Sequence, residues 1–246
     1  MKKGYLAFFF LLAFSCISYA QTAAVGTPID LRTAFTPERF SNSIQLLITI
    51  SFITLIPFFL ISVTSFLRII IVLSMIRVAV GTQQVPPNSI IVGLALFMTV
   101  FVMTPVWQEI NTKALTPYNQ KKISQVKALE IGMQPLRTFM FKQTRQADLM
   151  LFIQFSKIPR PTNFDQVPTY VLIPAFMISE LKTAFQIGFL IFIPFIVIDL
   201  VVANVLLSLG MFMLSPVMVS LPFKILLFVL ADGWNLICRG LMLSFR

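Results

Sequence analysis

The chain has 246 residues, of which 57% are hydrophobic and 11% are charged, and its mean hydropathy is +0.89. Soluble domains carry about 25% charged residues, so this composition excludes an ordinary soluble fold and indicates an integral membrane protein. The formal net charge is +10, and there is no histidine, which removes the commonest metal ligand and general base.

Residues 1–20 have the pattern of a secretory signal peptide. Lys2 and Lys3 form a basic start, an apolar run follows at 6–13, and Ser18-Tyr19-Ala20 is a small-x-small ending. We expect cleavage before residue 21, which would place the mature N-terminus outside the cytoplasm. The alternative is an uncleaved anchor helix, although the apolar run is short for a membrane span.

The first long helix is predicted to begin at Thr36-Pro37-Glu38, which supplies a capping hydroxyl, a proline in the first turn and an acid. No charged residue occurs at 40–67, so this run is long enough to span a bilayer. Pro57 should kink or break it. The helical pattern continues through 68–80 and stops at the glycine and prolines of 81–88.

A second uncharged helix is predicted at 89–108, with a break near Pro105. Arg68 and Arg77 lie within the apolar run that precedes it, and a charge at mid-bilayer costs about 2.5–3.5 kcal/mol on insertion scales. We therefore predict that 57–103 forms a helical hairpin buried among other apolar segments. The arginines would contact substrate, lipid phosphate or a neighbouring subunit's acid, and pairing within an assembly is the favoured interpretation.

Residues 109–168 form the only extended polar region, and basic residues outnumber acids there. Helical spacing predicts one apolar face, and so a small helical domain, from Leu129, Met133, Leu136 and Met140. The signal peptide followed by two spans places this domain outside the cytoplasm, whereas its positive charge favours the inside. We give the signal peptide precedence. The basic residues are then a solvated face, and no nucleic acid is expected.

Residues 169–246 are apolar again, with helices predicted at 174–198, 200–223 and 224–246. Interruptions are expected at Asp199, Gly210, Pro216 and Pro222. The predicted fold class is an all-α membrane protein, with about four long hydrophobic, proline-kinked segments arranged as hairpins and one small helical domain. The domain boundaries fall after residues 20, 108 and 168.

The segment that follows Gly210 is the strongest candidate for a functional site. Met211 and Met213 are deformable, Phe212 is bulky, and the flanking Gly210 and Pro216 predict a non-helical backbone. Irregular backbone at membrane depth is tolerated only inside protein or beside a water-filled cavity. Two interpretations stay open: these side chains fill a core, or several such loops converge on an axis and seal a pore.

Other polar residues in the apolar segments have structural interpretations. Asp199 is either a proton relay or, as we favour, the tip of a hairpin. Asn204 and Gln186 are expected to hydrogen-bond between helices.

The sequence contains no pattern of a catalytic site. A Ser-His-Asp set cannot form without histidine, and no glycine-rich phosphate loop occurs. After signal cleavage Cys238 would be the remaining cysteine, with no neighbouring base. We therefore expect no enzymatic activity, no cofactor and no metal.

Five strings resemble the FliP family of the bacterial flagellar export gate, also described as the FliP/SctR family. They are SFLRIIIVLSMIRVAVGTQQVPPN at 65–88, GLALFMTVFVM at 93–103, PLRTFMFKQTRQADLMLF at 135–152, IPAFMISELKTAFQIGFLIFIPFIVIDLVV at 173–202 and LSLGMFMLSPVMVSLPFKILLFVLADGW at 207–234. These strings lie between residues 65 and 234, and we expect the resemblance to cover nearly all of the mature chain.

The resemblance implies a core subunit of the flagellar type III protein export gate, in the inner membrane at the basal body. It implies a homo-oligomeric, pentamer-like ring that assembles with FliQ and FliR, near FlhB and FlhA, and passes unfolded flagellar proteins. The middle domain would be periplasmic. The family carries a methionine-rich constriction where Met211, Phe212 and Met213 stand here, so Phe212 departs from its pattern. A homologous injectisome gate subunit and a stand-alone transporter are the alternatives, and the signal peptide favours the flagellum.

Overall fold

The computed structural model describes residues 37–82, 84–156 and 166–245, and within these ranges the chain is helical and contains no strand. The predicted signal peptide and the capping residue Thr36 lie outside the described residues. The elements in chain order are α1 (Pro37–Val63), α2 (Phe66–Val80), α3 (Asn88–Ile110), a π-helical turn (Asn111–Leu115), α4 (Thr116–Asn119), α5 (Gln125–Gln143), α6 (Gln146–Phe155), α7 (Thr169–Ser208), α8 (Pro216–Leu230) and α9 (Gly233–Leu243).

The chain divides into two compact units, Met1–Leu55 and Ile56–Arg246. The described part of the first unit is the N-terminal portion of α1, whose large apolar side chains are exposed wherever the structure describes them. Two hydroxyls on this portion are satisfied locally: Thr49 donates to the Gln45 carbonyl and Thr54 to the Ser51 carbonyl. Because each hydroxyl donates to a carbonyl of its own helix, it can lie on an otherwise apolar surface without needing another hydrogen-bond partner.

The core of the second unit forms around α2. This helix packs against α3 and α7 and also contacts α8. Its fully buried side chains include Ile69, Val72, Leu73 and Ile76. With only 15 residues, α2 is too short to span a bilayer, which takes about 20. The prediction that the run carrying Arg68 is buried among other apolar segments is confirmed for α2.

A second cluster joins the polar region to the start of α7. Met140 of α5 and Ile153 of α6 pack against Leu172 and Phe176 of α7. Of the predicted apolar face of α5, Met140 is fully buried, but Leu129 and Met133 are exposed. The face is therefore buried towards the C-terminal end of the helix, where Met140 packs in a cluster with side chains of α6 and α7.

Among the residues that the structure describes, three helical stretches are long and apolar enough to cross a membrane: Ile44–Val63, Asn88–Asn119 and Thr169–Ser208. A fourth exists if α8 and α9, which meet at a bend of 63°, are counted as one broken span. The prediction of an all-α membrane protein with about four long hydrophobic segments is confirmed.

The predicted breaks at several prolines are wrong. Helices run without interruption through Pro57, Pro105 and Pro222. No break was predicted at Pro194, and α7 also runs through that residue. Membrane helices tolerate proline because neighbouring helices, hydroxyl side chains and small local adjustments can satisfy the carbonyl that it frees. The predicted interruption at Asp199 is also wrong, since α7 continues from Thr169 to Ser208.

Some of the observed breaks lie where the sequence predicted them. Gly81 ends α2 in the left-handed region at φ +87°, as predicted, and Gly210 has φ +74° just after α7. Two breaks were not predicted: Thr64 and Ser65 separate α1 from α2, and Asp232, at φ +49°, separates α8 from α9. Pro216 begins α8, where its missing N–H is not needed.

The π-helical turn joins α3 to α4 without a break, so a single rod runs from Asn88 to Asn119. Ala114 within the turn is buried. It faces Gly132 of α5, where an added Cβ would lie 3.5 Å from the Ala114 Cβ. The turn thus brings the rod into close contact with the polar region.

Candidate functional site: a buried charge network and an exposed loop

Arg68 lies in the first turn of α2, and only 2% of the residue is exposed. Its Nε donates to Glu180 Oε2 at 2.8 Å, and its Nη2 donates to the other Glu180 oxygen and to Gln143 Oε1 at 3.0 Å. Its Nη1 donates to the Ser244 carbonyl at 2.9 Å and to the Ser244 hydroxyl at 3.0 Å. The five N–H donors of a guanidinium therefore match five acceptor contacts.

This network joins segments that are far apart in sequence. Glu180 belongs to α7 and is fully buried, Gln143 ends α5, and Ser244 follows α9. The Phe245 ring lies under the guanidinium, 4.0 Å from the Arg68 Cζ, and its carbonyl accepts from Gln143 Nε2 at 3.3 Å. Buried charges are tolerated when they are paired and their remaining groups are hydrogen-bonded. The acidic partner of Arg68 is thus found within the same chain.

Arg77 lies apart from this network, in the last turn of α2. Its Nη1 donates to Asn88 Oδ1 at 2.6 Å and is 3.4 Å from the Pro86 carbonyl. Arg77 therefore ties the end of α2 to the start of α3 across the intervening turn. The two arginines therefore have different roles: Arg68 joins segments that are distant in sequence, whereas Arg77 joins two consecutive helices.

A row of polar contacts connects α7 to the junction of α5 and α6. The Arg145 backbone N–H donates to the Ser179 hydroxyl at 3.0 Å, and that hydroxyl donates to the Gln143 carbonyl at 3.1 Å. The Arg145 guanidinium donates to Thr183 Oγ1 at 3.2 Å and to Gln186 Oε1. The prediction that Gln186 makes an interhelical hydrogen bond is confirmed.

Asp148 and Lys182 form a further pair between α6 and α7. Asp148 is almost completely buried, whereas about half of the Lys182 side chain is exposed. Sequence reasoning did not single out Asp148, Glu180 or Gln143. Their role depends on how α5 and α6 pack on α7, and no local pattern indicates that packing.

Asp199 pairs with the neighbouring helix α8. Its Oδ2 lies 2.6 Å from Lys224 Nζ, and its Oδ1 accepts a hydrogen bond from the Ser220 hydroxyl. Lys224 is buried, and 31% of the Asp199 side chain is exposed. The favoured interpretation of Asp199 as a hairpin tip is wrong, because the residue lies nine positions before the end of α7. It instead holds α7 and α8 together near the connection between them.

That connection, residues 209–215, is non-helical as predicted. It begins with a turn in which the Met211 N–H donates to the Leu206 carbonyl at 3.0 Å and the Gly210 N–H to the Leu207 carbonyl at 3.1 Å. The side chains of Met211, Phe212 and Met213 are exposed, and Met213 is completely so. They therefore fill no core among the described residues of this chain.

The described residues offer little for catalysis. They contain no group of three or more His, Cys, Asp or Glu side chains that could hold a metal ion. Cys238 is half-buried and unpaired, with apolar surroundings. Asn204 is exposed, and within the described ranges its side chain makes no hydrogen bond, although its carbonyl accepts from Ser208. The charged side chains in the apolar segments act by holding helices together.

These features define a class: an all-helical membrane protein in which buried ion pairs fix the helices and one apolar loop between α7 and α8 is left exposed. The FliP family model matches residues 48–241, and the chain belongs to the FliP family.

Curated relatives agree with this assignment. The chain is similar to the flagellar biosynthetic protein FliP of Bacillus subtilis, with 51% identity over 217 residues that cover 88% of this chain and 98% of that protein. The protein of the same name from Borreliella burgdorferi is 47% identical over 247 residues, 97% of each chain. That from Aquifex aeolicus is 45% identical over 221 residues, 89% of this chain and 92% of the relative.

Proposed function

We propose that this chain is a core subunit of the bacterial flagellar type III protein export gate and helps to form the pore for unfolded flagellar proteins. The observation that carries the proposal is the family match across residues 48–241, supported by relatives named flagellar biosynthetic protein FliP. The matched range includes both the charge network around Arg68 and the exposed 209–215 loop. The family match that supports the proposed function therefore includes the residues of the candidate site.

The proposed location is the inner membrane at the flagellar basal body, with α5 and α6 on the periplasmic side. The proposed assembly is a pentamer-like ring of this chain with FliQ and FliR, next to FlhB and FlhA. Large exposed apolar side chains along α1 and α7 support an assembly, because contiguous apolar surface on this scale marks contact with lipid or with other chains.

Within that ring, Met211, Phe212 and Met213 of each copy would meet at the axis and close the pore at rest. Exposure of all three side chains supports this role, as does the Asp199–Lys224 pair that fixes the flanking helices. Methionine is flexible enough to yield when a chain passes, and an apolar constriction excludes water and ions while closed.

The export proposal is tested by deleting the gene and measuring secretion of hook and filament proteins. We expect secretion and motility to be lost and to return when the intact gene is supplied. Normal motility in the deletion strain would rule the proposal out. Loss of injected effectors with flagella intact would instead identify an injectisome subunit.

The gate proposal is tested with Met211→Ala combined with Met213→Ala, measured as ion conductance of membranes holding the resting assembly. Smaller side chains should leave a gap, so conductance should rise. Met218→Ala is the matched control, because Met218 is also exposed but lies on α8 outside the loop. If the loop variant conducts no more than the control, the loop does not seal the pore.

A further inference from the structure

The segment that follows α9 supplies part of the coordination of the buried guanidinium. Ser244 contributes two of the five acceptor contacts of Arg68, through its carbonyl and its hydroxyl. Phe245 contributes its ring face, and its carbonyl accepts from Gln143. The remaining acceptors come from Glu180 and Gln143. The charge site is therefore incomplete without the segment after α9.

Phe245 is itself held on two sides. Its ring stacks on that of Phe139 of α5, with centroids 6.4 Å apart and planes at 23°, and it also contacts the Arg68 guanidinium. Only 8% of the residue is exposed. An aromatic ring beneath a desolvated guanidinium adds an attraction beyond burial of its area. The segment after α9 thus occupies a fitted position.

Displacing this segment would take both acceptors from the Arg68 Nη1 donors and uncover the face of the guanidinium that the Phe245 ring covers, so these donors would be left unpaired unless water entered. A buried donor that loses its partner suffers the full desolvation penalty, whereas a satisfied one is tolerated. Conversely, without the paired Arg68 and Glu180, the segment would lose the contacts that hold it. Docking of the segment and burial of the ion pair therefore stabilise each other, and such coupling is reciprocal.

We infer that Ser244 and Phe245 form an intramolecular latch, whose docking on Arg68 completes the buried ion pair with Glu180 and fixes α9 against α2. Because α9 follows α8 at a fixed bend of 63°, the latch sets the position of one end of α8. The Asp199–Lys224 pair holds α8 to α7 near the middle of α8, and the hydrogen bond from Ser220 to Asp199 holds it nearer the 209–215 loop. The latch does not depend on the proposed export function, since it concerns the packing of one chain.

The test is hydrogen exchange, read by mass spectrometry, on the full chain in mild detergent. Phe245→Ala should speed exchange by about tenfold in α9 and also in the first turns of α2, because release of the segment weakens the site around Arg68. Leu243→Ala is the matched control: Leu243 lies two residues away and is exposed, so α2 should keep its protection. Faster exchange in α9 with no change in α2 would overturn the inference.

A second variant tests the latch from the other side. Gln143→Met keeps the length of the side chain but removes the amide that accepts from Arg68 and donates to the Phe245 carbonyl. We expect α9 to exchange faster although the substitution lies in α5. Unchanged exchange in α9 would overturn the inference even if Phe245→Ala does not fold.

Discussion

Replacing Lys224 by methionine should loosen α8 from α7 beside the 209–215 loop. The substitution removes the ammonium group 2.6 Å from Asp199 Oδ2 and leaves that carboxylate with the Ser220 hydroxyl as its remaining partner. Methionine keeps most of the length and the apolar stem of lysine, so the change isolates the charge.

The size of the effect follows from burial. Breaking a buried ion pair costs about 3–5 kcal/mol, whereas exposed pairs contribute about 0–1 kcal/mol. Lys224 is buried, but 31% of the Asp199 side chain reaches the surface, so water partly solvates the stranded carboxylate. We expect a loss of about 2–3 kcal/mol. For a chain of this size that corresponds to a fall in the midpoint of thermal unfolding of about 5–10 °C.

The assay is thermal unfolding in mild detergent, with ion conductance of the resting assembly as a second readout. Lys113→Met is the control, because Lys113 forms an exposed pair with Glu109 at 3.1 Å on one helix and should cost less than about 1 kcal/mol. Combining Lys224→Met with Asp199→Leu should restore most of the lost stability, because well-packed apolar residues replace an ion pair at little cost.

Two outcomes would refute this reasoning. If the double variant is as unstable as Lys224→Met alone, the stranded carboxylate is not the source of the loss. If Lys224→Met and Lys113→Met unfold at the same temperature, the pair between α7 and α8 behaves as a surface contact.

Two glycines give further predictions. An added Cβ at Gly188 of α7 would collide with the Sδ and Cε atoms of Met75 of α2. These atoms are the flexible end of the side chain, so Gly188→Ala should cost only about 1 kcal/mol in thermal unfolding, and Met75→Ala should relieve part of that loss. Additive losses in the double variant would contradict the clash. Gly210 has φ +74° with open space around it, so Gly210→Ala should cost about 1–2 kcal/mol through backbone strain alone, and Gly210→Asn less; equal costs for alanine and asparagine would contradict this cause.

Local patterns predicted the elements whose causes are local. Gly81 ended α2 where expected, and the apolar runs became helices of spanning length. The glycine after α7 correctly predicted the non-helical loop. Proline inside the apolar runs failed as a signal of a break: α1 runs on through Pro57, because other groups can satisfy the carbonyl that proline frees in a membrane helix.

The charged residues show where sequence reasoning stops. Insertion cost predicted that Arg68 must face protein, and that is confirmed, but its partner Glu180 lies 112 positions away. The hairpin-tip interpretation of Asp199 missed its partners, Ser220 and Lys224. These residues come close to Asp199 only when α8 packs on α7. Pairings between distant segments depend on tertiary packing, which hydrophobic periodicity does not encode.

The π-helical turn at Asn111–Leu115 sets the rotational phase of everything beyond it. Each residue advances an α-helix by about 100°, and a π turn holds one residue more than an α turn, so all later side chains are rotated by about that angle. Deleting one residue from the turn would leave a continuous helix from α3 to α4 but would rotate the side chains after the deletion, which would move Ala114 away from Gly132 of α5. A change of length in this stretch would therefore alter the direction in which the later side chains point more than it would alter the length of the rod.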